Sequence, residues 1–314
     1  MNNSSLRILV TGGAGFIGSH LVDELIRESH QVSVVDDLSS GHRNQVNSLA
    51  RFYDINITDP ELSTVMHQER PQVVIHHAAQ LDVRFSVSNP EKDAQINVLG
   101  SLNLLEASIK CGVERFIFAS SGGAMYGEPR QFPCSEENPI EPLSPYGAAK
   151  ATVETYLHYY RQVHGLKSFA LRYANVYGPR QDPHGEAGIV AIFTLAFLEG
   201  RTPIIFGDGE QVRDFVYVED VVAANRACLT SNKPGSYNIG TGEGTSVNKI
   251  AATLKELTKS PLQPNYSEAK LGEVYRIALN ANHAKHNLNW TPRVKLTDGL
   301  KHTVEYFKNP QPAS

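Results

Sequence analysis

The sequence is poor in cysteine. Its three cysteines, Cys111, Cys134 and Cys228, are scattered, with no Cys-x-x-Cys pair and no nearby histidine pairing. This spacing gives no zinc site, and we expect the protein to bind no metal. Such cysteine usage is typical of a protein in a reducing cytoplasm.

Long apolar runs and basic blocks are also lacking. The longest apolar stretch, 188–198, is far shorter than the roughly 20 residues that span a bilayer, and it predicts a buried helix. Residues 1–5 carry no basic side chain, so no secretory signal is expected. A net charge of −4 argues against nucleic acid as the main partner. Together these absences predict a soluble cytoplasmic protein.

Short buried strands alternate with amphipathic helices through the first half of the chain. Strands are predicted at 6–11, 32–35, 73–75, 116–119 and 168–172, and helices at 19–28, 61–69, 94–111 and 146–164. This alternation predicts an α/β protein with a Rossmann-like, doubly wound parallel sheet. After Arg172 the rhythm breaks, and 175–188 is predicted to be a loop that faces the site.

The rest of the chain predicts a smaller C-terminal α/β substrate lobe. Short strands are expected at 203–206 and 236–239, and helices at 218–229 and 247–257. We therefore divide the chain into a dinucleotide-binding domain, 1–174, with a return near 212–242, and a substrate lobe, 175–314.

A glycine turn follows the first predicted strand and opens the first helix. Gly12, Gly15 and Gly18 form the pattern G-x-x-G-x-x-G. Glycine allows the tight turn and lets a pyrophosphate approach the N–H groups at the helix N-terminus. Asp36 ends the second strand, where a carboxylate can bind the adenosine ribose hydroxyls and repel a 2′-phosphate. The cofactor predicted is therefore NAD.

Further cofactor contacts are expected at the ends of the next strands. Asp54 and Ile55 follow the third strand and are expected to edge the adenine, whereas 78–80 follows the fourth and is expected to run along the cofactor. The predicted cofactor-binding residues are Gly12, Gly15, Phe16, Ile17, Asp36, Asp37, Asp54, Ile55, Ala78, Ala79, Gln80, Asn97, Tyr146, Lys150 and Tyr173.

Tyr146 and Lys150 are spaced as i and i+4 in a predicted helix, so they share one face. A free tyrosine has a pKa of about 10 and is a poor base at neutral pH. The Lys150 ammonium and the positive nicotinamide ring of NAD⁺ favour the phenolate. This helix follows the fifth strand, where the nicotinamide end should lie, so we predict Tyr146 and Lys150 to be catalytic.

A serine pair, Ser120 and Ser121, lies just past the fifth strand, at the edge where ligands of open sheets bind. Either hydroxyl could bind a reacting sugar hydroxyl and pass its proton to Tyr146. His76 and His77 end the fourth strand without a carboxylate at ligand spacing, and we interpret them as structural.

Taken together, these motifs resemble the extended short-chain dehydrogenase/reductase family that acts on nucleotide sugars. The similarity covers nearly the whole chain. It includes the glycine turn, DDLSSG at 36–41, YGE at 126–128, SPYG at 144–147, RYANVYGPR at 172–180, GDG at 207–209 and RDF at 213–215.

The resemblance implies a catalytic set of Ser121, Tyr146 and Lys150, with Ser121 chosen because its distance to Tyr146 along the chain matches the family. The substrate-binding residues that it implies are Ser121, Tyr146, Asn175, Arg213, Lys270 and Arg276. Asn175 is expected at the nucleotide-sugar phosphates and Arg213 at the pyrophosphate. Lys270 is expected to assist, with Arg276 as a neighbouring alternative.

The resemblance also narrows the reaction. Dehydratases of the family carry an Asp-Glu pair after the catalytic hydroxyl residue, whereas Gly122 and Gly123 stand here, and decarboxylating relatives have a glutamate where Ala124 stands. The remaining chemistry is 4-epimerisation of a UDP-sugar through a 4-keto intermediate, with UDP-glucose and UDP-galactose as the default pair. Alternatives are 4-epimerisation of UDP-N-acetylglucosamine, for which Ile277 would leave space, or of UDP-glucuronate. A dehydratase, a reductase or a non-catalytic NAD sensor is a more distant alternative.

The family commonly dimerises through two long helices of each subunit. The resemblance therefore implies a homodimer that packs through the predicted helices 94–111 and 146–164. Leu157, His158, Tyr160 and Arg161 are expected near the seam.

Overall fold

The computed structural model describes residues 5–184, 188–269 and 274–309. The strands are β1 (Arg7–Thr11), β2 (Gln31–Val35), β3 (Arg51–Tyr53), β4 (Val73–His76), β5 (Arg115–Ser121), β6 (Lys167–Tyr173), β7 (Asn175–Tyr177), β8 (Ile204–Phe206), β9 (Val212–Tyr217), β10 (Gly235–Ile239), β11 (Gly244–Ser246) and β12 (Asn265–Ser267). The helices are α1 (Phe16–Arg27), α2 (Leu62–Glu69), α3 (Val83–Ser88), α4 (Pro90–Ala94), α5 (Ser101–Lys110), α6 (Gly122–Met125), α7 (Pro145–His164), α8 (Ile189–Leu198), α9 (Val218–Thr230), α10 (Val247–Thr258), α11 (Asn282–Leu288) and α12 (Leu296–Lys308). A π-helical segment, Gln95–Gly100, joins α4 to α5.

Seven strands form one sheet in the order β10-β6-β5-β4-β1-β2-β3. All of its neighbouring strands run parallel. The chain moves outward from β1 to β3 and then returns to β4 on the other side of β1, so the strand order reverses between β1 and β4. Ligands of open α/β sheets bind outside the carboxyl ends of the strands at such a reversal. The predicted Rossmann-like, doubly wound fold is confirmed.

Two apolar layers cover the sheet, one on each face. Successive residues of a strand point to opposite faces, and β1 shows the result. Ile8 and Val10 belong to the same apolar layer as Leu21 of α1. Leu9 belongs to the other layer, with Leu104 of α5. Burial on both faces explains why these strands are almost continuously apolar in sequence.

The smaller lobe has its own sheets and core. β11, β9 and β7 form a three-stranded sheet in that order, and β8 pairs with β12. Its core includes Phe193 of α8, Ile250 of α10 and Leu300 of α12. β9 and β10 both lie in the predicted return segment, 212–242. β10 pairs with β6 of the large sheet, whereas β9 belongs to the three-stranded sheet. The division of the chain at residue 174 stays a prediction.

The loop predicted over 175–188 is wrong at its start. Asn175–Tyr177 pairs with β9, and Gly178 and Pro179 follow this short strand. Glycine and proline dominated the sequence signal, but pairing with a strand about 40 residues later is a tertiary effect that local composition does not show.

The outer face of α7 carries exposed apolar side chains. Tyr156, Tyr159 and Val163 are 38%, 47% and 61% exposed. Leu157 and Tyr160, expected near a subunit seam, are only 2% and 3% exposed, because they pack into the core of their own chain. His158, from the same predicted set, is exposed, and the seam itself stays a prediction. Among the residues that the structure describes, no helix combines the length and apolar content needed to cross a membrane.

Candidate active site

The glycine turn between β1 and α1 leaves the N-terminus of α1 open. Gly12 has a φ of +71°, and a Cβ there would lie 2.5 Å from the backbone nitrogen of Ala78. A Cβ on Gly18 would collide with the carbonyl oxygen of Gly12. At Gly15 a Cβ would meet only that oxygen, at 3.4 Å, among the described atoms within 4 Å. Two glycines are therefore required by the packing of the turn, whereas Gly15 leaves space before the helix amides, where a pyrophosphate fits.

The first turn of α1 links this cofactor end to the smaller lobe. Phe16 and Ile17 begin the helix, and both side chains pack against the core of the smaller lobe. Their backbone N–H groups lie in the first turn, where no carbonyl of the same helix can accept them. Phe16 and Ile17 thus lie in the first turn of α1, as the motif predicts. Their side chains pack in the core, and their backbone N–H groups have no acceptor within the helix.

Three carboxylates gather at the carboxyl ends of β2 and β3. Asp36 is 8% exposed, and its oxygens accept from the backbone N–H groups of Ala14 and Leu38, both at 2.9 Å. Burial raises the pKa of Asp36, and the nearby Asp37 and Asp54 act in the same direction. Asp36 therefore ties the glycine turn to β2, and the concentration of negative charge disfavours a 2′-phosphate. Beyond Asp54, Ile55 packs against the apolar layer that contains α5.

The segment 78–80, half-buried along its length, is fastened to the π-helical segment. The Gln80 N–H donates to Oδ1 of Asn97 at 2.9 Å, and Nδ2 of Asn97 donates back to the Gln80 carbonyl at 2.9 Å. Both side-chain amides also donate to Oδ1 of Asp93, at 2.8 and 2.9 Å. Asn97, predicted as a cofactor contact, here sets the path of the backbone that runs past the glycine turn.

The catalytic candidates meet where α7 passes the end of β5. Ser144 caps α7 by accepting from the Gly147 N–H at 3.2 Å, with proline as the next residue, and this starts the helix just before Tyr146. The Ser121 hydroxyl lies close enough to the Tyr146 phenol to lower its pKa. Nζ of Lys150 lies 5.5 Å from the centre of the Tyr146 ring and donates to the carbonyl of residue 119 at 2.8 Å. The structure thus brings Ser121, Tyr146 and Lys150 together.

Burial dominates the ionisation of this set. It raises the pKa of Tyr146 to about 12, the charge of Asp93 adds to this, and the hydrogen bond from Ser121 lowers it. Burial lowers the pKa of Lys150 to about 8, whereas Asp93 and Glu154 oppose that shift. Lys150 therefore stays mostly protonated at neutral pH, and its ammonium is available beside the phenol.

Ser120 points away from the catalytic set. Its side chain is 3% exposed, and its hydroxyl donates to Oε1 of Glu154 at 2.6 Å. Neighbouring residues of a strand face opposite ways, so only one of the two serines can lie against Tyr146. In this structure it is Ser121.

Tyr173, His76 of β4 and the following residue, His77, pack beside the site. The Tyr173 phenol accepts from Nδ2 of Asn225 at 2.8 Å, and its ring stacks on His77 with 6.0 Å between centres. His76 is 1% exposed and contacts the hydroxyls of Thr11 and Ser101. Burial lowers the pKa of His77 to about 4 and that of His76 well below its usual value. Both histidines are therefore neutral at pH 7.

The predicted phosphate contacts come from neighbouring strands of the smaller lobe. Asn175 is exposed on β7, and Arg213 lies on β9, which pairs with β7. Nη1 of Arg213 donates to the carbonyls of Val212 and Tyr275, at 3.0 and 3.3 Å. The sheet thus places these two residues on neighbouring strands, with Asn175 opposite Phe215.

Arg276 joins them through a bridge between residues 212 and 276. Its exposed guanidinium lies 3.7 Å from the centre of the Phe132 ring. Lys270, the other predicted cation, lies outside the described residues.

The glycine pair after Ser121 faces the smaller lobe. A Cβ on Gly122 would lie 2.5 Å from Cδ1 of Leu279, whereas one on Gly123 would lie 3.9 Å from Oδ1 of Asn175. Ile277, at 2% exposure, packs with Tyr126 and Leu279. Small residues therefore stand where the other lobe approaches the end of β5.

Sequence reasoning missed three polar residues around this site. Asp93 is 1% exposed, and its Oδ2 has no hydrogen-bond partner among the described residues. Ser86 accepts from the backbone N–H of Tyr146 at 3.3 Å. Glu154 stands one helical turn after Lys150. Of the three, only Glu154 could have been found from the sequence, because it follows Lys150 by four residues and therefore shares its face of α7.

Comparison with known proteins gives a consistent picture. The NAD dependent epimerase/dehydratase family matches residues 8–240. The chain is 43% identical over 310 residues to the UDP-glucose 4-epimerase of Mycolicibacterium smegmatis, covering 97% of this chain and 99% of the relative.

Solved structures resemble the whole chain. A UDP-glucose 4-epimerase from Thermotoga maritima, crystallised with UDP-glucose, is 52% identical with a TM-score of 0.94, covering 96% of this chain and 98% of that one. A UDP-glucose 4-epimerase from Thermus thermophilus in complex with NAD is 42% identical with a TM-score of 0.92, covering 97% and 99%.

Proposed function

Because the chain belongs to the NAD-dependent epimerase/dehydratase family, we propose that it is a UDP-glucose 4-epimerase, which interconverts UDP-glucose and UDP-galactose. The observation that carries this proposal is the set formed by Ser121, Tyr146 and Lys150, followed by two glycines where other reactions of the family need an acid pair. Similarity to UDP-glucose 4-epimerases over nearly the full length supports it.

The proton chemistry belongs to the chain itself. Tyr146, as phenolate, accepts the proton of the sugar C4 hydroxyl, and the phenol later returns it. The Ser121 hydroxyl orients both oxygens, and the Lys150 ammonium stabilises the phenolate charge. NAD, the cofactor of this family, would be held by the glycine turn and Asp36 and would supply reversible hydride transfer at the sugar C4.

The smaller lobe is proposed to hold the nucleotide rather than the sugar. Asn175 and Arg213 stand on neighbouring strands, and Arg276 is bridged to them, so polar and cationic groups converge where the phosphates are expected. Binding through the diphosphate leaves the hexose free to present either face. Gly122 and Gly123 leave little side-chain volume beside the sugar, which suits such a reorientation.

We also propose a homodimer in the cytoplasm. Tyr156, Tyr159 and Val163 lie at i, i+3 and i+7 on α7, and Leu99 is 59% exposed in the neighbouring π-helical segment. Exposed apolar side chains in one stripe are typical of a helical interface. A solution mass of twice the 34.5 kDa chain is expected, and a single-chain mass would contradict the dimer.

The test is purified protein with UDP-galactose and no added cofactor. We expect UDP-glucose among the products, separated by chromatography, and no net rise of NADH absorbance, because the cofactor is regenerated in each turnover. UDP-N-acetylglucosamine and UDP-glucuronate are run in parallel to define the sugar. Absence of UDP-glucose, even after NAD is supplied, would contradict the proposal.

A further inference from the structure

A buried ion pair between β6 and α7 lies next to the catalytic set. Nη2 of Arg172 lies 2.7 Å from Oε2 of Glu154, and the two side chains are 9% and 8% exposed. Nε of Arg172 also donates to Oε1, at 3.0 Å. A buried pair gains little net stability over apolar residues of similar volume, because both charges lose their hydration. Its presence beside the site therefore needs another explanation.

The Glu154 carboxylate joins three elements of the fold. Ser120 at the end of β5 donates to Oε1 at 2.6 Å, and Ser236 of β10 donates to Oε2 at 2.8 Å. The Ser120 hydroxyl also lies 3.1 Å from the sulfur of Met125. With Arg172 of β6 on both oxygens, the carboxylate has a fixed orientation.

This carboxylate is connected to both halves of the catalytic set. Glu154 follows Lys150 by four residues and Tyr146 by eight, so all three share one face of α7. Ser120 immediately precedes Ser121, and the two point to opposite sides of β5. Holding Ser120 from one side therefore fixes the direction of the Ser121 hydroxyl on the other.

We propose that Glu154 is a positioning residue, which through Ser120 holds the end of β5 so that the Ser121 hydroxyl stays beside the Tyr146 phenol. Arg172 neutralises the carboxylate and Ser236 completes its hydrogen bonds. The inference rests on the proposed function only in taking Tyr146 as the proton acceptor.

Two serine variants test the inference with a matched control. Glu154→Gln would leave the Arg172 charge buried without its partner and endanger folding. Ser120→Ala and Ser236→Ala each remove one hydroxyl from the same carboxylate, but only Ser120 adjoins Ser121. We expect similar losses of thermal stability in the two variants. Ser120→Ala should lower kcat by about 10-fold to 100-fold with KM nearly unchanged, whereas Ser236→Ala should keep kcat within about twofold.

A second readout needs no turnover. Tyrosine labelled with ¹³C at Cζ reports ionisation of Tyr146 by NMR in the holoenzyme, with Tyr146→Phe to assign the signal. The Ser121 hydrogen bond lowers the pKa of Tyr146, against burial and Asp93, which raise it. Ser120→Ala should therefore raise the titration midpoint, and Ser236→Ala should not.

Equal effects of the two variants on kcat or on the midpoint would overturn the inference, as would an unchanged Ser120→Ala enzyme. An inactive wild-type protein would instead contradict the proposed function, and the NMR titration would still decide the role of Glu154.

Discussion

At the scale of single residues, the site sets two opposing demands on Tyr146. Burial raises the pKa of the phenol to about 12, yet the proposed reaction needs its phenolate near neutral pH. Lys150 helps only while it is charged, and burial lowers the pKa of its ammonium to about 8. As pH rises through this value the ammonium deprotonates, and its support for the phenolate falls. A proton acceptor so placed depends on Ser121 and on bound cofactor to reach its working state.

The change Tyr146→Phe should separate proton transfer from binding. The ring and its packing remain while the acceptor oxygen is lost, so kcat for UDP-galactose should fall by about 10²–10⁴-fold. Retention of NAD and the melting temperature should stay close to those of the wild type, because the ring and its packing are kept. Turnover near the wild-type rate would refute the proposed role.

Individual residues were predictable where spacing along one element decided them. The i and i+4 positions of Tyr146 and Lys150 fix a shared face once α7 is a helix. The choice between Ser120 and Ser121 depends on which hydroxyl meets Glu154 and which meets Tyr146, and the family resemblance alone supplied it. Asp93 escaped notice because an acidic residue in the first turn of a helix after proline is usually a surface feature that stabilises the helix dipole.

At the scale of elements, the three glycines between β1 and α1 have different roles, some in packing and one in leaving room for a ligand. Gly12 and Gly18 touch the backbone of the turn or of 78–80, so the fold itself requires them. Gly15 has a φ of −82°, which any residue can adopt, and a Cβ there would make only an ordinary contact with the Gly12 carbonyl oxygen, at 3.4 Å. One glycine is thus available for ligand approach alone.

Replacing these glycines by alanine should give different failures. Gly15→Ala should keep the free energy of unfolding within about 0.5 kcal/mol but weaken NAD retention by about tenfold, since the methyl occupies the approach of the pyrophosphate. Gly18→Ala should lower the free energy of unfolding by about 1–3 kcal/mol through overpacking against the Gly12 carbonyl. Urea unfolding and cofactor retention after gel filtration measure both. If Gly15→Ala lowered the free energy of unfolding as much as Gly18→Ala, Gly15 would also be required for packing, and the prediction would be wrong.

Helices and strands were predictable from periodicity wherever their own residues carry the apolar pattern. The strands of the large sheet are buried on both faces and appear as apolar runs, and their helices keep one apolar stripe. The short strand β7 was not predictable, because it depends on pairing with β9. The π-helical segment was not predicted either.

At the scale of the whole molecule, α1 contacts the loop that leads into the smaller lobe. His20 of α1 bonds the carbonyl of Pro179 through Nε2 at 2.9 Å, and Asp23 pairs with Arg180 at 2.7 Å. No local pattern could predict these contacts, since more than 150 residues separate the partners. These contacts connect α1, which follows the glycine turn, to residues 179 and 180, which lead into the smaller lobe.

His20 should make stability depend on pH between about 4 and 6.5. Burial lowers its pKa from 6.5 to about 4 and the Arg180 charge acts in the same direction, whereas the Pro179 hydrogen bond and Asp23 oppose them. Below pH 6.5 His20 is protonated in the unfolded chain but stays neutral in the native protein. As the pH decreases from 6.5 to 4, this residue therefore lowers the free energy of unfolding by at most about 1.4 kcal/mol per pH unit. His20→Gln keeps a donor for Pro179 and removes the titration, and it should flatten the pH dependence of urea unfolding measured at pH 7, 6 and 5. The exposed His67→Gln serves as the control and should leave the slope unchanged. Parallel curves for wild type and His20→Gln would show that the contact between α1 and residue 179 does not respond to protonation in this range.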